Sequence, residues 1–167
     1  MNKRVRERMT ALEIDNIALA PVFMSWSFDV KSGRNPDEWW EPDIYDFMGV
    51  DIYAPTVGTS VLQTGESIEG GPRWSYIRKV AEERGVELAV GEWGVRGDDD
   101  QSAQIVLEWY EHAINSHKDG QGARVIGLSA FDSGQNSPNG SWLLQGKRLE
   151  MFHQLMGDPR TIKLKDF

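Results

Sequence analysis

Apolar runs recur along this chain at about 17–24, 47–53, 86–94 and 125–131, and each interval of roughly 30 to 40 residues is long enough for one helix. That spacing constrains the fold more than any other feature. A strand that returns parallel to its neighbour needs a crossover of a dozen or more residues, usually a helix. The runs also lack helical periodicity, as expected of strands buried on both faces. Pro21 interrupts the first run, because a proline removes a ladder donor.

The intervening segments carry helical patterns. Residues 3–12 place Val5, Met9 and Leu12 at spacings of four and three, an amphipathic helix. Asp37-Glu38-Trp39-Trp40 reads as a short helical turn. Pro72 opens a helix over 73–84 whose apolar stripe is Trp74, Ile77, Val80 and Ala81, and Gly85 caps it. An aspartate from the run Asp98-Asp99-Asp100 caps a helix over 101–116, with Ile105, Trp109, His112 and Ala113 on one face. A polar loop through Asn139-Gly140 leads past Trp142 to a last helix near 147–156. The expected fold class is α/β, a parallel sheet with flanking helices, and residues 1–167 form one domain.

Composition removes several function classes. The 18 Lys and Arg against 26 Asp and Glu give a net charge of −8, which disfavours nucleic acid and anionic membranes as partners. The longest apolar stretch, 17–26, falls short of the ~20 residues a membrane helix needs. The basic start, Met1 to Arg6, is followed by Glu7, Arg8, Glu13 and Asp15, so no export signal is expected in the chain as written. With no cysteine there is neither disulfide nor thiolate metal site, and the compartment stays open. His112, His117 and His153 lack metal-ligand spacing, the Asp98 run lacks a calcium-loop pattern, and the glycines of 65–71 lack a phosphate-loop lysine. No metal and no cofactor are implied.

In parallel α/β folds, reactive groups gather at the C-terminal ends of the strands. Here those ends deliver Ser25, Trp26 and Asp29, then Asp51 and Tyr53, then Glu92 and Trp93, then Asp132 and Ser133. Carboxylates with indoles suit a sugar site, because aromatic faces stack on pyranose rings while carboxylates handle hydroxyls and protons. Taken singly, Glu92 reads as an ordinary strand-end glutamate and Tyr53 as a core residue. Gly91 and Gly94 beside Glu92 allow close backbone approach to a ligand.

Val90-Gly91-Glu92-Trp93-Gly94 resembles the strand-seven motif of the clan of retaining (β/α)₈-barrel glycoside hydrolases. Phe23-Met24-Ser25-Trp26-Ser27, Pro36-Asp37-Glu38-Trp39-Trp40 and Tyr45-Asp46-Phe47-Met48-Gly49-Val50-Asp51-Ile52-Tyr53 are similar, in this order, to strands five and six of glycoside hydrolase family 26, the β-mannanase family. The resemblance covers nearly the whole chain. It implies a partial TIM barrel with strands corresponding to five through eight, a C-terminal half-barrel of a glycosidase catalytic domain. It further implies Glu92 as nucleophile, Tyr53 as its support, and Trp26, Trp40, Asp51, Trp93, Asp132 and Trp142 as substrate-binding residues. An oligo- or polysaccharide such as mannan is the implied ligand, and an extracellular setting follows from the family.

The pattern departs from a complete enzyme in one respect. A retaining glycosidase needs two carboxyls ~5–5.5 Å apart, and the clan draws its acid/base from strand four, for which this sequence has no counterpart. Asp29, Glu38 and Glu41 are nearby carboxylates that could substitute. A complementary N-terminal half-barrel chain or a homodimer would close the sheet. The alternative is a non-catalytic carbohydrate-binding or structural half-barrel.

Overall fold

The computed structural model describes residues 2–135 and 142–162. Their elements, in order, are α1 (Asn2–Ala11), β1 (Val22–Met24), β2 (Phe47–Ala54), α2 (Arg73–Glu83), β3 (Glu87–Val95), α3 (Asp100–Asn115), β4 (Val125–Ala130) and α4 (Gly146–Gly157), with 3-10 turns at Ser25–Phe28 and Pro36–Trp39. The strands form one sheet in the order β1-β2-β3-β4, and every neighbouring pair is parallel. The expected α/β architecture is therefore present. The turn expected at Asn139-Gly140 lies outside the described residues.

Only β1 departs clearly from expectation. It spans three residues where the apolar run suggested eight. The Pro21 carbonyl still accepts from the Gly49 amide at 2.8 Å, but proline has no N–H to return. Upstream, Leu19 is held by the Asp46 side chain and amide instead of by a ladder.

One face of the sheet is covered by helices. Met48, Val50, Ile52 and Ala54 of β2 are buried there with Leu88 and Val90 of β3, against Trp74 and Ile77 of α2 and Ile105, Val106 and Trp109 of α3. Trp74 and Trp109 are core residues, as their helix stripes predict, and the Trp74 indole donates to His112 Nε2 at 2.7 Å. The Asp99 side chain caps α3 by accepting from the Ser102 amide at 2.9 Å.

Among the described residues, no helix covers the opposite face in this way. Val22 and Met24 of β1 are 58% and 50% exposed there, although both are apolar. Its middle is lined by small or polar residues, among them Gly49, Ala89 and Gly127.

Strand β3 changes phase partway along. Val50 pairs with Val90, but the next residue, Asp51, pairs with Glu92, so Gly91 is an extra residue in β3. On the other side, Val90 pairs with Leu128 and Trp93 with Ala130, three steps against two. Such a bulge inverts the alternation beyond it. The buried residues of β3 accordingly run Leu88, Val90, then Trp93 and Val95.

Buried cations pin the layers. Arg78 of α2, 1% exposed, forms two bonds to the Asp119 carboxylate at 2.7 and 2.8 Å and reaches the carbonyls of Ala123, Ser116 and Gly122. Arg148 of α4 binds Asp98 and the carbonyls of Val95 and Leu143. Removing one partner of a buried pair strands the other charge.

The Arg78 guanidinium holds the Asp119 carboxyl down at about 2, from an ordinary 3.8. A depressed carboxylate stabilises the fold above its unfolded value and loses that contribution as the pH falls through the folded value. Asp119→Asn is expected to cost ~3 kcal/mol in urea denaturation at neutral pH and to flatten the loss of stability between about pH 4 and pH 2. Equal stability of variant and parent at both ends of that range would contradict this account of the ion pair.

Candidate active site

Glu92 owes its position to the bulge. In an uninterrupted strand it would share the helix-covered face of Leu88 and Val90; with Gly91 inserted it lies opposite Asp51, on the open face. A Cβ on Gly91 would approach Asp51 Oδ1 to 2.9 Å, so glycine is what lets the carboxyl lie against the strand. Three residues on, Gly94 does the same for rings. A Cβ there would come within 2.7 Å of Trp142 and 2.8 Å of Tyr53.

The Tyr53 phenol closes over that gap and donates its O–H to Glu92 Oε2. Its ring is bounded by Trp142, centroids 4.8 Å apart, and by the edge of Phe131 at 5.9 Å. The Arg96 guanidinium stacks over the other ring of this group, 4.0 Å from the Trp142 centroid. Bonds from the Trp142 amide to the Ser133 carbonyl and from the Leu144 amide to Asp132 Oδ1 tie this segment to the end of β4.

The surroundings shift both Asp51 and Tyr53. Burial, reinforced by the neighbouring Glu92 carboxylate, pushes the Asp51 carboxyl above the usual range, while a backbone hydrogen bond from Glu92 opposes the shift. Asp51 Oδ1 is buried without a hydrogen-bond partner. Burial, then the bond to Glu92, holds the Tyr53 phenol well above its ordinary value, so it remains a donor at neutral pH.

Of the residues singled out in the sequence, Glu92, Tyr53, Asp51 and Trp142 come together at the C-terminal edge of β2 and β3. Trp142 is 9% exposed, with Tyr53 and Arg96 against it, and so forms a wall of the site. Trp26 lies in the turn after β1 and is 43% exposed. Asp132 is exposed and spends one oxygen on the Leu144 amide.

Two expected residues do not join them. Trp93, next to Glu92 in sequence, is 4% exposed and faces the helices, because alternation sends neighbours to opposite sides. Trp40 packs against Tyr45 and under the Arg84 guanidinium, 4.6 Å from its centroid, beside the starts of β2 and β3. Of the carboxylates considered as substitutes, Asp29 is buried against Arg73 at 3.3 Å, and Glu38 and Glu41 are exposed on the segment before β2. Sequence reasoning missed Arg96 and Phe131. Arg96 stands two residues past Gly94, and that parity is the signal that could have placed it with the site.

A separate cleft of about 590 Å³ opens between β4, α3 and α4, bordered by Tyr110, Ile114, Val125 and Phe152. It holds no carboxylate of the site. Among the described residues no three His, Asp or Glu side chains converge as a metal site would, and no helix is long and apolar enough to cross a membrane. No protein-family model matches the chain, and no curated protein is significantly similar to it.

The Tyr53–Glu92 bond can be read by alkaline titration of the tyrosines. Glu92→Gln removes the charge that opposes phenol ionisation, so the latest-titrating of the four tyrosines is expected to move to lower pH. A titration curve identical to the parent's would mean that the bond is not made in solution. Gly91→Val is expected to produce a smaller downward movement, because its side chain collides with the Asp51 carboxyl, whose charge also opposes ionisation of the phenol.

Proposed function

We propose that this is the site of a retaining glycoside hydrolase acting within β-linked polysaccharides such as mannan, with Glu92 as nucleophile and Tyr53 orienting it. The observation that carries the reading is the Glu92 carboxylate on the open sheet face, held by a phenol that stays protonated and flanked by a second carboxyl. A nucleophilic carboxylate must be ionised and fixed in direction, and a single strong donor on one oxygen leaves the other free to attack.

On this reading the sheet corresponds to strands five through eight of a (β/α)₈ barrel, and residues outside this sequence supply the others. Exposed Val22 and Met24 support such a closure, since they would face the barrel interior. The substrate runs past Trp26 on one side and the Trp142 wall on the other. Family resemblance is the basis for mannan and for an extracellular setting. The same uncovered apolar face favours, as a second reading, a structural half-barrel that associates with a partner or with its own copy.

Hydrolysis of 2,4-dinitrophenyl β-mannoside separates the two. Its leaving group needs no proton, so Glu92 alone can be glycosylated. Phenolate release is expected from the parent chain, with a loss of about 10⁴-fold in Glu92→Ala and partial recovery with azide as the inverted glycosyl azide. Equal background release from folded parent and variant would reject the hydrolase in favour of the structural reading.

A further inference from the structure

The turn that follows β1 exposes one tryptophan and buries its neighbours. Trp26 is 43% exposed, whereas Ser25, Ser27, Phe28 and Asp29 are all buried. Exposed apolar residues are common on protein surfaces; what sets Trp26 apart is the amount of buried structure that fixes it. Phe28 lies between Phe23 of β1, ring centroids 5.6 Å apart, and Tyr76 of α2, at 6.3 Å. The Phe28 carbonyl accepts from the Ile68 amide, and the Val30 amide donates to the Glu66 carbonyl. The Asp29 amide closes the turn by donating to the Trp26 carbonyl at 3.0 Å.

Arg73, the first residue of α2, completes the clamp. Its buried guanidinium donates to the Ser25 hydroxyl at 3.3 Å and lies 3.3 Å from Asp29 Oδ2, so it holds the turn on both sides of Trp26. Gly65 makes room for it: the glycine adopts φ +76°, and a Cβ there would overlap Arg73 Nη2. Both bonds are long, and Arg73 Nε is buried with no hydrogen-bond partner among the described residues. Contacts of that quality offset little of the cost of burying a charge. The contribution of Arg73 is therefore to geometry more than to stability, and a planar fork that holds two oxygens in fixed directions suits it.

We propose that Arg73 is a positioning residue for Trp26, and that the ring it fixes is a stacking platform for a sugar remote from the bond being cleaved. The inference rests on the glycosidase reading above for its substrate, a β-linked chain several sugars long. Met24, Asp51 and Glu92 stand level with one another across β1, β2 and β3. Trp26 follows two residues beyond that line, on a strand two spacings of ~4.8 Å from the one that carries the nucleophile. It therefore meets a sugar further along the chain than the one bonded to Glu92. Such a platform favours polymer over small glycosides, and it acts through affinity instead of through the chemical step.

The test measures binding of mannohexaose by calorimetry in a Glu92→Gln background, where nothing is turned over. Arg73→Gln and Trp26→Ala are each expected to raise Kd about tenfold. The double variant is expected to raise it no further than either alone, because Arg73 acts through the ring. With Glu92 restored, Arg73→Gln is expected to lower kcat/KM for 2,4-dinitrophenyl β-mannoside by less than it lowers affinity for the hexaose, whereas a general loss of structure lowers both alike. Should Arg73→Gln fail to fold by circular dichroism, Asp29→Asn takes its place, since it removes the charge facing Arg73 and keeps an oxygen for the Lys31 amide. Unchanged affinity in the variants, additive losses, or no binding of mannohexaose at all overturns the platform. Glu92-dependent release of dinitrophenolate would show that the nucleophile reading survives such a failure. Arg73-dependent binding of the hexaose without that release would uphold the platform and overturn the glycosidase reading alone.

Discussion

Residues along a β-strand alternate between faces, and one inserted residue inverts everything beyond it. In β3 that residue is Gly91, and the site depends on it. Without the insertion Glu92 would continue the buried series of Leu88 and Val90 into the helix layer, where an ionised carboxylate is costly. With it, Trp93 and Val95 take over the core and Glu92 emerges beside Asp51 and under the Tyr53 hydroxyl. Both neighbouring strands register the same insertion, so the shift belongs to the sheet and not to one loose strand end.

Around this point the loops at the C-terminal edge are fixed by ion pairs of two buried arginines. Arg73 at the start of α2 reaches Asp29 and Ser25 and holds the turn that carries Trp26. Arg148 reaches Asp98 and the Val95 and Leu143 carbonyls, and so ties the ends of β3 and the Trp142 segment to α4. Neither pair touches the candidate carboxyls. They set where the walls stand, while the bulge sets what faces them.

Much of the fold was legible because it rests on periodicity. The spacing of the apolar runs gave a parallel sheet, and the stripe containing Trp74 and Ile77 identified a helix face that is indeed core. The site was legible only in part. Glu92, Asp51, Tyr53 and Trp142 stand at strand ends, where topology collects reactive groups. The phase slip at Gly91 was not legible, because a run such as Val90-Gly91-Glu92-Trp93 is equally compatible with unbroken alternation. Trp93 was grouped with Glu92 by adjacency, although adjacent residues of a strand face apart. Trp40 is placed by contacts with Arg84 and Tyr45, which are tertiary and leave no local signal. Pro21 did signal the shortened β1 through its missing donor.

The central claim is that the turned-out carboxylate of Glu92 is nucleophilic, and covalent trapping tests it most directly. The folded chain would be incubated with 2,4-dinitrophenyl 2-deoxy-2-fluoro-β-mannoside, whose fluorine slows breakdown of a glycosyl ester, and the labelled peptides mapped by mass spectrometry. The account predicts one sugar per chain, on Glu92, and none in Glu92→Gln. Labelling at another residue, or no labelling of a chain that still binds the sugar, would contradict it.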